Sequence, residues 1–170
     1  MEYTLRKWKK TDASCLAKYA NNKNVSKFLR DVFPYPYKAS DAASFISMAL
    51  RSDPSKNMFR CIDVDGESVG GIGVFVRDDV YRKSAEIGYW LAEPYWGNGI
   101  VTDAAKQIVE MAFDTFDIVR IYAEIYAPNT ASQRVLQKAG FVCEGTLRAS
   151  IFKDGELMDS VVYALIRLPS

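Results

Sequence analysis

The sequence predicts an α+β (α/β mixed) fold, in which a central mixed, mostly antiparallel sheet is flanked by helices. Three observations carry this. β-rich runs, several with period-two alternation, recur at the start, middle and end of the chain. Two Asp-Gly pairs, Asp65-Gly66 and Asp154-Gly155, sit between such runs and signal tight hairpins, hence antiparallel neighbours. Stretches of helical period interrupt the later strands, which requires crossovers and therefore a mixed sheet.

Residues 3–8 (YTLRKW) alternate as a strand. Thr11 then reads as the N-cap of a helix carrying Cys15, Leu16 and Tyr19. The prolines of FPYPY at 33–37 stop any helix, and Ser40 is placed to cap a second one running to about Leu50. Residues 57–64 and 67–77 form the first hairpin. Residues 84–91 (SAEIGYWL) form a further strand, with Ala85, Ile87, Tyr89 and Leu91 on one face and Glu86, Gly88 and Trp90 on the other. Val101, Ala104, Ala105, Ile108, Ala112 and Phe116 then recur at helical spacing. Residues 119–126 alternate again, Pro128-Asn129 opens a short helix that ends at Gly140, and strands near 141–152 and 157–167 finish the chain. With no repeat or linker, residues 1–170 read as one domain.

Composition narrows the chemistry by exclusion. Lys plus Arg is 22 and Asp plus Glu is 21, a balance that gives no reason to expect nucleic acid or an anionic membrane as partner. No apolar run approaches the ~20 residues that span a bilayer. The start, MEYTLRKWKK, is charged and does not read as a signal peptide. Cys15, Cys61 and Cys143 are widely spaced, which points to a reduced, cytoplasmic protein and no metal site; Cys143 is expected to be a buried structural thiol. There is no histidine, so Ser-His-Asp triads, Cys-His dyads and imidazole-based zinc sites are excluded. Any proton acceptor is a carboxylate, a tyrosine, a lysine, a cysteine or a water.

The richest local signal is Trp96-Gly97-Asn98-Gly99-Ile100-Val101-Thr102, where a strand passes through a glycine-bearing turn into a long helix. Free N–H groups and the helix dipole make such a junction an anion site suited to a pyrophosphate. It also reads as an ordinary strand-to-helix connection. No GxxxxGK[ST] occurs, and Gly71-Ile72-Gly73 is followed by Val76 and no helix, so those glycines mark a bulge or a close packing contact.

The segments EIGYWLAEPYWGNGIVTDA at 86–104 and NTASQRVLQKAGF at 129–141 together resemble the GNAT acetyltransferase superfamily, and within it the branch of ribosomal-protein N-terminal acetyltransferases (RimJ/RimL-like). The resemblance implies a GNAT-like sheet splayed between the strands at 84–91 and 119–126, acetyl-CoA as co-substrate, and direct transfer to an amine. It implies that Tyr89, Trp90 and Leu91 hold the acetyl and pantetheine portions through their main chain. It implies that Trp96, Gly97, Asn98, Gly99, Ile100, Val101 and Thr102 cradle the diphosphate, with Trp96 standing where the family has Gln or Arg and Val101 where it has Gly or Ala. Asn129 matches a CoA-contacting asparagine and is also a natural N-cap. The tyrosine acid of many members is Leu136 here; Ser132, one turn beyond Asn129, is the replacement that the ribosomal branch implies, and a solvent-facing serine is the alternative.

An acceptor amine is mostly protonated at neutral pH and needs a base. Glu86 is placed for that role beside Gly88, which leaves room for a substrate, and apolar surroundings would strengthen it; a strand carboxylate paired with a basic residue, or a water relay, are the alternatives. FPYPY and the Asp154-Gly155 hairpin are candidate rims of the acceptor pocket, and FPYPY is equally a plug over the core. The expected acceptor is a peptide N-terminus or a small molecule such as a polyamine, amino acid or drug, handled by a monomer or homodimer. A non-catalytic acyl-CoA sensor is the reading from a different class.

Overall fold

In the computed structural model, which describes residues 1–170, both Asp-Gly pairs make the expected turns. Asp65 and Gly66 have φ of 52° and 85°, and Asp154 and Gly155 have 51° and 81°. Left-handed geometry at both central residues is the type I′ pattern, whose twist matches that of the flanking strands. The hairpins so formed join β2 (Asn57–Val64) to β3 (Glu67–Val76), and β6 (Val142–Lys153) to β7 (Glu156–Ile166). With β1 (Thr4–Arg6), β4 (Ser84–Leu91) and β5 (Arg120–Tyr126) they build one seven-stranded sheet of order β1-β2-β3-β4-β5-β7-β6. Only β4 and β5 run parallel, so the mixed, mostly antiparallel expectation holds.

Five helices complete the fold: α1 (Ala13–Ala20), α2 (Lys23–Ser26), α3 (Ala39–Arg51), α4 (Ile100–Thr115) and α5 (Thr130–Lys138). Alternation along the strands assigns them to faces. Cys61, paired to Gly71, joins Trp8, Leu16, Tyr37 and Ile46 under α1 and α3. Ile62, Ile72, Ile87 and Ile121 join Ile108 and Leu136 under α4 and α5. No helix is long and apolar enough to cross a membrane.

Two helix starts differ from expectation, for one reason. Thr11 lies inside a 3-10 turn (Lys10–Asp12) and Ser40 inside α3. The capping interactions come instead from carboxylates: Asp12 accepts the Lys9 N–H and Asp41 the Lys38 N–H, each at 2.8 Å. Helix α2 was not expected. It is only four residues long, and its cap Asn22 is fixed by donation to Glu93 at 2.7 Å, a contact distant in sequence. Cys143 is exposed, not buried, because β6 is the outermost strand of the sheet; the buried thiol is Cys61. Gly71 and Gly73 are packing glycines: a Cβ would come within 3.0 Å of the Trp90 indole nitrogen and 2.5 Å of the Phe75 ring, respectively. The neighbouring bulge lies where the register shifts between Ile62 and Asp63.

Arg6 ties β1, β2 and the start of α1 together. Its guanidinium reaches both Asp12 oxygens at 2.8 Å and Asp63 at 2.6 Å. Burial works against the Asp12 charge, but donation from Arg6 and the Lys9 amide holds its carboxyl below the usual range. A carboxyl whose folded pKa is depressed stabilises above its unfolded pKa of about 4, and that stabilisation is lost as pH falls through the folded value. Asp12→Asn is therefore expected to cost about 2 kcal/mol at pH 7, between an exposed and a fully buried pair. The gap to wild type should narrow below about pH 4 in urea melts.

Candidate active site

The parallel pairing of β4 with β5 covers three residue pairs, Ser84 to Arg120, Ala85 to Ile121 and Glu86 to Tyr122. Beyond these the strands part. The inner edge of β4 from Ile87 to Leu91 then has no strand partner, and a cleft of about 830 Å³ opens along it. Tyr89, Trp90, Leu91 and the whole 96–102 turn line this cleft, as do Asn129, Ser132, Glu86 and Gly88. The structure thus brings the candidate catalytic and CoA-contacting residues read from the sequence to one place.

At one end is the turn into α4. Gly97 and Gly99 have φ of 76° and 75°, the left-handed conformation that glycine adopts without penalty. The amides of Gly97, Asn98, Gly99, Ile100, Val101 and Thr102 donate to no acceptor within the protein. A run of free amides at the start of a sixteen-residue helix has the donors and the dipole to hold an anion. The polar side chains of the turn are committed to its shape. The Trp96 indole N–H donates to the Leu91 carbonyl at 2.7 Å, and the Trp96 amide to Glu93. The Asn98 carboxamide donates to the Tyr95 and Trp96 carbonyls at 3.0 and 3.1 Å. Trp96 thus closes the turn and leaves the donating to the amides after it. Ile100 points into the core, which anchors the first turn of α4.

Across the cleft stands α5. Asn129 caps it, its side-chain oxygen accepting the Ser132 amide at 3.2 Å. Ser132 is nearly buried, which removes the solvent-facing alternative. Its hydroxyl lies 2.6 Å from that of Tyr89, whose side chain crosses from β4. Burial pushes the Tyr89 hydroxyl up to about 12, so at neutral pH it remains a neutral donor. When Tyr89 donates to Ser132 Oγ, the serine proton is free to point into the cleft. Leu136, 0 % exposed, fills the core instead of reaching the cleft.

On the opposite sheet face, Glu86 sits at the vertex where the strands part, 3.8 Å from Arg77. It meets two of its descriptions at once: it lines the cleft and has a loose basic partner. A Cβ added at Gly88 would meet nothing within 4 Å, so the space beside Glu86 is open. Phe33 and Tyr37 stack at 4.9 Å and Phe33 meets Trp90 at 5.4 Å, so FPYPY serves both as plug and as cleft wall. Tyr35 is 51 % exposed and turns instead towards the hairpin tip, which Lys23–Asp154 and Lys153–Asp31 pairs dock against the same segment.

Residues 3–142 match the family model described as Acetyltransferase (GNAT) domain. The chain belongs to the GNAT acetyltransferase family. It is 30% identical to the uncharacterized N-acetyltransferase p20 of Bacillus licheniformis, over 96% of this chain and 92% of that protein. It is 31% identical to the ribosomal-protein-serine acetyltransferase of Escherichia coli over 56% of this chain and 54% of that one. With the E. coli spermidine N(1)-acetyltransferase it shares 26% over 92% and 82%. The Mycobacterium smegmatis RimJ structure, in complex with CoA-disulfide, superposes with a TM-score of 0.81 at 26% identity, over 96% of this chain and 81% of that one. The RimJ/RimL-like resemblance read from the sequence is borne out. So is acetyl-CoA-dependent amine acetylation as the class of reaction that this GNAT enzyme carries.

Sequence reasoning missed several residues that this GNAT chain places in the cleft. Arg134 and Lys138 on α5 and Lys27 after α2 add positive charge to its lining. The helical spacing of Arg134 and Lys138 was readable; their side of α5 relative to the turn was not. The Tyr89 side chain and Glu124 on β5 also line it.

Gly88→Val tests whether this space is used. Nothing crowds the new side chain, so stability should change by no more than about 0.5 kcal/mol. Amine acetylation should fall at least about tenfold, because the valine fills the cleft beside Glu86. Thermal melts and thiol-release assays check the two halves separately.

Proposed function

We propose that residues 1–170 form one N-acetyltransferase domain that acetylates a peptide N-terminal α-amine, in the manner its RimJ/RimL-like relatives are named for. The observation that supports this most is the continuity of the free amides from Gly97 to Thr102 with the unpaired edge of β4. Together they provide a diphosphate cradle and a main-chain track leading to Ser132 and Glu86. When bound, acetyl-CoA supplies an acetyl group activated as a thioester.

The residues would divide the work as follows. The amides of Gly97 to Thr102 neutralise the diphosphate, with Arg134 and Lys138 adding charge. The main chain of Tyr89, Trp90 and Leu91 holds the extended pantetheine portion by strand-like hydrogen bonds. The Asn129 carboxamide nitrogen has no acceptor within the chain and faces the same cleft. Ser132 holds at Oγ the proton that a departing thiolate needs, and Tyr89 fixes the direction of that hydroxyl. Glu86, directly or through a water, takes the proton that the acceptor must lose before it can attack. Phe33, Trp90 and Tyr126 wall the acceptor side and limit water.

The test is free-thiol release from acetyl-CoA with an amine panel: peptides with free N-termini, the same peptides N-acetylated, spermidine and single amino acids. Free peptides are expected to lead spermidine by at least about tenfold in kcat/KM. A lead for spermidine would make this a small-molecule enzyme, as the E. coli relative of that name is. CoA binding without turnover of any amine would make it a sensor.

Within that assay, Glu86→Gln should lower kcat by about 10²-fold or more. Ser132→Ala should cost roughly tenfold and Tyr89→Phe less, since Tyr89 acts through Ser132. Full activity in both Glu86→Gln and Ser132→Ala would remove both assignments.

A further inference from the structure

A second carboxylate faces the same cleft, on the other side of the parting. Glu124 belongs to the part of β5 that has left β4, and it shares a sheet face with Tyr122, the partner of Glu86. No lysine or arginine nitrogen lies within ion-pair distance of it, whereas Glu86 has Arg77.

Its hydrogen bonding is one-sided. Ser160 on β7, 0 % exposed, donates to Glu124 Oε1 at 2.6 Å. An ionised carboxylate only accepts, so the single Ser160 proton is committed to it. Ser150 Oγ on β6 lies 2.6 Å from Ser160 Oγ and 3.0 Å from the Leu147 carbonyl, so its single proton faces both acceptors. Ser150 reaches this position because β6 shifts register between Leu147 and Ile151, with Ala149 at φ 51° and its N–H held by Asp159 at 2.8 Å. A bulge that re-aims a side chain beside a cleft is a recurrent device. The whole relay fixes Oε1 and leaves Oε2 without a partner in the chain. Tyr122 shares that face with both carboxylates; burial first, and then the charges of Glu86 and Glu124, raise its hydroxyl against the opposing pull of Arg77 and Arg120.

We propose that Glu124, clamped through Ser160, is the positioning residue for the acceptor: its free oxygen receives the acceptor's ammonium group, which Glu86 or its water then deprotonates. The inference rests on the acetyltransferase reading above. It separates two tasks that one carboxylate performs poorly, since a base tightly paired to the ammonium in the ground state stabilises the protonated form.

The experiment measures steady-state thiol release with the best acceptor of the amine panel, in wild type, Glu124→Gln and Ser160→Ala. Glu124→Gln is expected to raise the acceptor KM about tenfold, with kcat within about twofold and the acetyl-CoA KM unchanged. Ser160→Ala should move the acceptor KM the same way by a smaller factor. Added salt should raise the acceptor KM of wild type but barely that of Glu124→Gln, a response that a merely structural residue would not give. An unchanged acceptor KM with kcat intact overturns this inference alone. A large kcat loss at constant KM also overturns it, by making Glu124 the proton acceptor. Should Glu124→Gln not fold, the wild-type salt response and Ser160→Ala decide, and a flat result in both counts against the proposal. If wild type acetylates no amine at all, the inference and the reading beneath it fail together.

Discussion

The parting of β4 from β5 after the Glu86–Tyr122 pair is the constraint on which the rest depends. Backbone N–H and C=O groups that lose a strand partner must find another. β5 keeps its outer neighbour, pairing with β7 from Arg120 to Tyr126, and β4 keeps β3 through Leu91. The two inner edges are left facing each other across a gap that neither can close. Inside the sheet, this is where main-chain donors and acceptors are left without a strand partner, with helix-covered cores on both faces.

The turn after β4 converts that edge into a site with direction. Trp96 and Asn98 use their side-chain nitrogens to hold the turn. Ile100 buries the first turn of α4, which anchors the start of that helix at the cleft. The Trp96 indole therefore strengthens the frame of the turn and leaves the amides that follow it free. At the other end, Leu136 is buried in the core, and the hydroxyls of Tyr89 and Ser132 meet between β4 and α5. The two carboxylate-bearing strands diverge from a shared vertex, which places Glu86 and Glu124 on one face with different surroundings: one beside a guanidinium, one beside a buried hydroxyl.

Much of this was legible in the residues. The Asp-Gly turns, the strand at 84–91 and the period change into α4 are local signals, and the structure places them within a residue or two. The capping residues were less legible. Thr11 and Ser40 are ordinary caps by type, but Asp12 and Asp41 prevailed because carboxylates bind amides more strongly and Arg6 draws Asp12 in. α2 and the exposure of Cys143 follow from neighbours far along the chain, Glu93 in one case and the bare outer edge of the sheet in the other. Within the site, the sequence reading reached the glycine-bearing turn from its residues, and Asn129 and Ser132 through the family resemblance. It could not find the Tyr89 hydroxyl or Glu124, whose significance comes from Ser132 and Ser160 across the fold.

The most direct measurement is amide-resolved NMR of the intact chain during titration with coenzyme A. The largest shifts should fall on the amides of Gly97 to Thr102 and on the inner edge of β4 through Leu91, while β1 and β2 stay still. Saturable binding whose shifts spare the start of α4 and gather elsewhere would contradict the account.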